Sequence, residues 1–450
     1  LEDRKLIPPQ QHSYRRRKSC ITAWQDIDVI VNRARDEGKA CGMLMTDLAG
    51  AFNCVSKETL LPQLRMTGFS LNSISLLESY LTNRSNCTRI GSSVSRPLPV
   101  PTGVGEGSSS GPILWICHIL SSPEVIRKTE KILEDFEDDA HPANIPIMRK
   151  TSYPITEATF ADDCNSVVVA DTNEDVLNIM TVLQDQYSLF FGNLGLKESR
   201  AKQQHIIWTK RKEEGNDYSL NGRKGETSIK LLGINCSSDY TFEKQATSVI
   251  GRIAGRLPHL RRIRDHVSQD VLIRVSTALC LSILHYGIEI WCQKPSLQRK
   301  CQRIVNILLR ILTNSQRDRS IALMLAETKL LNVHLSYQYF SIMSLERLLR
   351  GKGSDETCKL VLWGYDRIVY QTRVKFLRLK WRPNTSSGWF SFIQQSCKYY
   401  NAMGLWHTNW FIEPEPGKKL KEKLLGKYQN ANLRIIKILY KSCKPRTKII

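Results

Sequence analysis

Short apolar runs broken by glycine and polar turns fill the first half of the chain, and long helical periods replace them further on. Trp24, Ile27, Val29-Ile30-Val31 and Ala34 recur at helical spacing and stop at Gly38. Gly42 to Asp47 then reads as a strand, Ser56 to Met66 and Leu71 to Leu81 as helices, and Thr88 to Val100 as an apolar pair of strands. A turn near Gly103 leads into a helix around Pro112 to Leu120. The acidic stretch from Glu134 to Asp139 reads as an exposed separator. Ile155 to Thr159 and Val167 to Ala170 flank a polar tip, which predicts a hairpin. Glu174 to Phe190 carries Val176, Ile179, Val182, Leu183 and Tyr187 on or near one face, with Thr172 or Asn173 as its cap. Short strands are expected at His205 to Thr209 and Ser228 to Ile234, and helices from about Thr241 to Arg350. Four parts follow: residues 1–39, 40–235, 236–350 and a basic, aromatic-rich region 351–450.

Composition narrows the class. The 450 residues are 41% hydrophobic, enough for two or three domains with real cores, and the formal net charge is +22. Such an excess of cations points to a polyanion, most simply nucleic acid, ahead of a membrane surface. No apolar run approaches the roughly 20 residues of a bilayer span, and the first residues carry no signal-peptide pattern, so an intracellular protein without a membrane partner is expected. The thirteen cysteines include no C-x-x-C pair and read as reduced packing residues. Leu1 in place of Met suggests a piece of a longer protein.

The chemistry concentrates in three carboxylates. Asp162 and Asp163 occupy the hairpin tip, and Asp47 ends the strand upstream. Adjacent strand residues point to opposite faces, so only one of the pair can lie directly beside Asp47. Unpaired carboxylates about 4 Å apart repel by roughly 4 kcal/mol at a protein-surface dielectric, and a hard divalent cation is the natural occupant. A two-metal nucleotidyl-transfer site fits that pattern. A lone Asp-Asp pair is ordinarily a solvated turn, so the surrounding motifs decide its meaning.

Asp47-Leu48-Ala49-Gly50-Ala51-Phe52, then Gly103-Val104-Gly105-Glu106-Gly107-Ser108 with Gly111-Pro112, then Phe160-Ala161-Asp162-Asp163 stand in the order of the palm of reverse transcriptases. The chain resembles that family, in particular its LINE-type members from retrotransposons lacking long terminal repeats. Gln11-His12-Ser13-Tyr14-Arg15 is similar to the fingers segment ahead of the first palm strand, Leu231-Leu232-Gly233 to the primer-grip turn, and Leu281 to Trp291 to a thumb-side segment. The resemblance covers roughly residues 8 to 350.

It implies an α+β, right-hand polymerase fold: a fingers remnant (1–39), a palm with an antiparallel sheet (40–235), a helical thumb and connection (236–350), and a basic C-terminal region of unknown fold (351–450). It also implies roles. Asp47 and Asp162 would hold two Mg²⁺ ions, with Mn²⁺ as an alternative, while Asp163 supports them and the Leu48 carbonyl is a further candidate ligand. Phe52 would close the floor of the sugar pocket and exclude a ribose 2′-hydroxyl. Gly107, Gly111 and Pro112 fit the loop and helix that meet template and nucleotide. Glu106 departs from the family's usual Pro-Gln-Gly, placing an acceptor-only carboxylate near a tetra-anionic substrate. Lys202 matches the lysine proposed to protonate or neutralise pyrophosphate. Arg15 would grip the triphosphate, and Leu232-Gly233 the primer.

Other basic residues keep two readings. Arg16, Arg17 and Lys18 suit a nuclear-import patch or a solvated edge, and Arg252, Arg256, Arg261, Arg262 and Arg264 a phosphate grip or exposed helix faces. Trp381, Trp389, Trp406 and Trp410 suit core packing or stacking on bases. The expected function is an RNA-directed DNA polymerase taking an RNA template, a DNA primer and deoxynucleoside triphosphates, with the nucleus as the expected site of action and a cytoplasmic RNA-bound stage. The alternative is a non-catalytic nucleic-acid-binding remnant.

Overall fold

A computed structural model describes residues 6–16, 18–105, 107–138, 154–199, 202–208 and 218–351. Arg17, Glu106 and the tryptophans of the C-terminal region lie outside the described residues. The chain divides into two compact units between Ile229 and Lys230.

In the first unit, Ser19 caps helix α1 (Cys20–Glu37) through a reciprocal capping box with Thr22, and Gly38 ends it at φ 76°. Strand β1 (Ala40–Thr46) follows, then the helices α2 (Ala51–Cys54), α3 (Lys57–Met66) and α4 (Leu71–Leu81). Ser56 and Ser70 cap α3 and α4. The expected apolar strand pair beyond them is instead four two-residue strands, β2 (Ser85–Asn86), β3 (Arg89–Ile90), β4 (Ser93–Val94) and β5 (Leu98–Pro99), all exposed. They pair as two small ladders, β2 with β5 and β3 with β4, so their apolar side chains find no second layer.

Helix α5 (Gly111–His118) starts with Pro112 in its first turn. The expected acidic separator is a second difference, because Glu134 to Asp138 belong to helix α6 (Pro123–Asp138), while Asp139 lies outside the described residues. Val125, Ile126, Thr129 and Leu133 form a buried stripe at helical spacing, and the acidic residues merely close its last turn. Strands β6 (Thr156–Phe160) and β7 (Asp163–Ala170) make the hairpin, helix α7 (Asn173–Asn193) follows its Thr172 cap, and β8 (Gln204–Trp208) completes the sheet. Beyond it lies a small ladder of β9 (Ser219–Leu220) and β10 (Arg223–Lys224).

The main sheet has the order β6-β7-β1-β8, antiparallel throughout. Helices α1 and α7 both pack on it, which explains why β1 and β7 are buried along almost their whole length rather than alternating. Gly42 permits the close approach of α7: a Cβ there would lie 2.6 Å from Met180 and 2.9 Å from Val176. Beneath α7 the Tyr187 hydroxyl donates to Glu157 at 2.7 Å and lies 2.8 Å from Ser166.

The division between units falls within β11 (Ser228–Leu231), which pairs with β12 (Ile234–Ser237). The single strand expected there is therefore a hairpin, turning at Leu232 and Gly233 with φ of 45° and 82°. Helices α8 (Glu243–Ala254), α9 (Leu257–Arg264) and α10 (Gln269–Ser276) lead through a π-helical turn (Thr277–Leu281) to α11 (Ser282–His285) and α12 (Ile288–Trp291). Helix α13 (Pro295–Leu312) buries Leu297, Cys301, Val305, Leu308 and Leu312 and packs against α8, α9, α14 (Ile321–Thr328) and α15 (Val333–Gly351). The second unit is helical around that axis. All described cysteines are free thiols. Among the described residues no helix is long and apolar enough to cross a membrane.

Candidate active site

The hairpin β6–β7 pairs Phe160 with Asp163, so Ala161 and Asp162 are its two-residue turn. Ala161 has φ 58° and Asp162 is not among the residues of positive φ, the pattern of a type II′ turn in which glycine is usual at the first position. A left-handed alanine costs about 1–2 kcal/mol, and two contacts offset it. Gln11 Oε1 accepts the Ala161 N–H at 3.2 Å, and Trp115 Nε1–H donates to the Ala161 carbonyl at 3.0 Å.

Thr46 lies opposite Cys164 in the β1–β7 register. Asp47 therefore leaves β1 at the end of the sheet where Asp163 begins β7. Burial pushes the Asp163 carboxyl up to about 6, the charges of Asp162 and Asp47 add to that, and Lys202 opposes it. All three carboxylates and one ammonium thus lie within electrostatic reach of one another. Asp162 sits in the turn and Asp163 at the first position of β7.

Asp47 is fixed by its neighbours downstream. Leu48 forms an antiparallel bridge with Glu198, flanked by Ser199 N–H to Asp47 O at 2.9 Å and Ala49 N–H to Lys197 O at 2.8 Å. That bridge does not use the Leu48 carbonyl. The chain then turns at Ser199 and sets Lys202 Nζ 3.3 Å from Asp47 Oδ2. The same oxygen is buried and accepts no aligned hydrogen bond, so the contact is an ion pair and nothing more directional. Because the Lys202 side chain is 71% exposed, the pair contributes at most about 1 kcal/mol.

A buried, incompletely satisfied carboxylate oxygen beside two further carboxylates fits a hard divalent cation. Among the described residues no three His, Cys, Asp or Glu side chains form a ready-made metal cage.

Phe52 is half-buried and stacks on Trp115 with ring centroids 5.3 Å apart and planes 26° apart. The glycine-containing loop is seated on the same segment: Val104 N–H reaches Phe52 O at 2.8 Å, Gly103 N–H reaches Val55 O at 2.7 Å, and Thr102 donates to Asn53 O at 3.0 Å. Gly103, at φ 97°, leaves only 3.0 Å between a built Cβ and the Asn53 backbone, so a side chain is excluded. Gly107 adopts φ 80°, and Ser108 Oγ caps the Gly111 N–H at 2.9 Å. The neighbouring Glu106 lies outside the described residues.

The leading segment lies along the hairpin. His12 N–H donates to Thr159 O at 2.8 Å and Thr159 N–H to Gln10 O at 3.0 Å. Tyr14 is left-handed at φ 52° and 56% exposed, and burial together with the Asp162 charge raises its hydroxyl's pKa. Arg15 donates to the carbonyls of Pro8 at 2.7 Å and Gln11 at 3.4 Å, bracing its own segment. In the second unit, Tyr286 closes over the Leu232-Gly233 turn, donating to Leu232 O at 2.8 Å and lying 3.2 Å from where a Gly233 Cβ would stand. Gln11, Trp115 and Tyr14 join the site through the fold: no local signal marks Trp115, and the segment Gln11 to Arg15 is similar to the family's fingers without marking these side chains.

Clustered carboxylates at one end of an antiparallel sheet, with a lysine beside them and an aromatic pair next door, form the kind of site used for cation-assisted phosphate chemistry. The sequence profile of the family Reverse transcriptase (RNA-dependent DNA polymerase) matches residues 1–236, over half of the chain, and the chain belongs to that family. In Drosophila melanogaster, the probable RNA-directed DNA polymerase from transposon X-element is 22% identical over 324 residues, 70% of this chain and 33% of that protein. The probable RNA-directed DNA polymerase from transposon BS is 26% identical over 115 residues, 26% of this chain and 13% of that protein. The expected kinship with retrotransposon reverse transcriptases holds as a distant one, and the chain spans a third or less of these relatives. Among solved structures, apo telomerase from Candida tropicalis is similar with a TM-score of 0.39 and 9% identity, over 92% of this chain and 57% of that one. Telomerase from Candida albicans in complex with a fragment of telomeric RNA gives 0.32 and 10%, over 86% and 55%. Likenesses this low add nothing to the fold argument.

Proposed function

We propose that the protein is an RNA-directed DNA polymerase that adds deoxynucleotides to a primer 3′-hydroxyl, with residues 40–235 as palm, the leading segment as a fingers remnant and residues 236–350 as thumb. The observation that carries this reading is the convergence of Asp47, Asp162, Asp163 and Lys202 at the tip of the β6–β7 hairpin. Divalent cations held there, Mg²⁺ or Mn²⁺, would activate the 3′-hydroxyl and neutralise the triphosphate. Asp47 and Asp162 would hold the cations, and Asp163 would support them from the first position of β7. Lys202, long and mostly exposed, is free to swing from Asp47 to the departing pyrophosphate and supply a proton at its oxygen.

Phe52 would meet the sugar of the incoming nucleotide, where a ribose 2′-hydroxyl collides with the ring. Arg15 would exchange its carbonyl partners for phosphate oxygens. The Leu232-Gly233 turn held by Tyr286 would grip the primer, and the arginines of α8 and α9 would hold the duplex through its phosphates. A net charge of +22 suits an RNA template and DNA primer.

Extension of oligo(dT) on poly(rA) with dTTP, wild type against Asp162→Ala, tests the proposal. Template-dependent product from wild type alone is the expected result. No product above the Asp162→Ala background would leave the second reading, a non-catalytic nucleic-acid-binding remnant, which the acidic Glu106 favours.

A further inference from the structure

The hairpin turn that carries the aspartates is held at both backbone groups of one residue, the N–H and the carbonyl of Ala161, on the two peptide units that flank its Cα, by residues distant in sequence. Gln11, 150 positions upstream, spends its side-chain oxygen on the Ala161 N–H, and the same oxygen accepts from Ser13 N–H at 3.0 Å and Ser13 Oγ at 2.8 Å. Trp115, from α5, donates its indole N–H to the Ala161 carbonyl. Both side chains are buried, Trp115 completely, so neither bond competes with solvent. The residue they hold is the one whose left-handed backbone an alanine resists. Trp115 also carries the stacked ring of Phe52.

We infer that Gln11 and Trp115 are positioning residues: together they lock the Ala161 peptide in its left-handed turn and so set where Asp162 and Asp163 stand. Trp115 additionally ties that placement to Phe52. A single indole thus reports to two parts of the site, the carboxylates through its N–H and the sugar pocket through its face. The part of this inference that concerns catalysis and sugar choice rests on the polymerase reading. The part that concerns the turn does not.

Two properties distinguish a lock from ordinary packing. First, the requirement for Gln11 is for an acceptor, so Gln11→Met, similar in length and apolar, breaks the lock while Gln11→Glu preserves it. Second, the lock is needed because residue 161 is not glycine. With Ala161→Gly the turn adopts positive φ without strain, and loss of the Gln11 acceptor should then matter less. Packing alone predicts neither rescue.

The experiment uses the whole 450-residue chain and two readouts. Hydrogen exchange followed by mass spectrometry reads peptides covering residues 156–167. Exchange there should rise about tenfold or more in Gln11→Met and in Trp115→Phe, since a lost bond to a buried group is worth that factor. It should stay near wild type in Gln11→Glu and be restored towards its background in Gln11→Met/Ala161→Gly. Extension on poly(rA)·oligo(dT) supplies the second readout. Gln11→Met should lose about tenfold to hundredfold in kcat with KM for dTTP within about twofold, the signature of misplaced reacting groups. Trp115→Phe should lose kcat similarly and also lower the preference for dTTP over UTP. Unchanged exchange in both Gln11→Met and Trp115→Phe would overturn the lock, as would equal effects of Gln11→Met and Gln11→Glu on exchange. If wild type itself extends nothing, the polymerase reading fails, and the exchange data still decide the lock.

Discussion

Glu157 lies three residues before the end of β6, fully buried against α7, and its titration should govern the stability of the sheet. Burial pushes its carboxyl from the ordinary 4.5 up to about 7, with the Tyr187 hydrogen bond opposing. Ionising it in place therefore costs roughly 3 kcal/mol, at about 1.4 kcal/mol per decade of proton affinity. The sign follows from linkage. Below about pH 4.5 the carboxyl is protonated in both folded and unfolded chains, and its full contribution to stability is present. As the pH rises through about 7 the folded chain must ionise a buried group that the unfolded chain ionised long before, so that contribution is lost. Glu157→Gln keeps an acceptor for Tyr187 and cannot ionise. Urea unfolding of both proteins at pH 4.5 and pH 8 should show the variant gaining roughly 3 kcal/mol on wild type between the two conditions. Any fixed cost of placing an amide beside Ser166 and Tyr187 cancels in that difference. A wild-type-minus-variant gap that does not change with pH would refute the reasoning, since Glu157 would then be ionised, or neutral, throughout.

Other consequences are simpler to state. Lys202→Ala should leave the urea midpoint almost unmoved, because an exposed ion pair is worth at most about 1 kcal/mol, yet lower kcat for extension by about tenfold to hundredfold. Tyr286→Phe removes the bond to Leu232 O and should destabilise by about 1 kcal/mol, visible as a lower unfolding midpoint with an unchanged slope. Glu106→Gln should raise deoxynucleotide incorporation by restoring an amide donor where the sequence has a carboxylate, and incorporation that stays level or falls would show the carboxylate to be harmless or useful.

Much of the fold was legible because its signals are local. Gly38 closes α1, Ser56 and Ser70 open α3 and α4, and Thr172 opens α7, each by its own cap chemistry. The hairpin at 156–170 and the strand ending at Asp47 were visible from apolar runs with polar tips. Where the reading failed, local pattern misled it. The acids at 134–139 hid the helical stripe of Val125, Thr129 and Leu133. The apolar pattern of 228–234 ran as one strand across Leu232-Gly233, where the family resemblance alone marked a turn and the chain reverses through positive φ. The apolar residues of 88–100 suggested burial, but Ile90, Val94 and Leu98 have no layer to pack against and remain exposed.

The same limit applies to the site. Types and order of the acidic residues can be read along the chain, and so can Lys202 and Phe52. Register cannot, and it is register that brings the end of β1 beside the start of β7, with Thr46 opposite Cys164. The tethers from Gln11 and Trp115 to Ala161 span 150 and 46 residues and leave no periodic trace.

The central claim is that Asp47, Asp162 and Asp163 act together to hold divalent cations with a nucleotide. Mn²⁺ binding in the presence of dTTP, followed by electron paramagnetic resonance, tests it without requiring turnover. Wild type should bind Mn²⁺ at least about tenfold more tightly with the chain's carboxylates intact than in Asp47→Asn or Asp163→Asn, as loss of a charged ligand requires. Equal binding by all three proteins would contradict it.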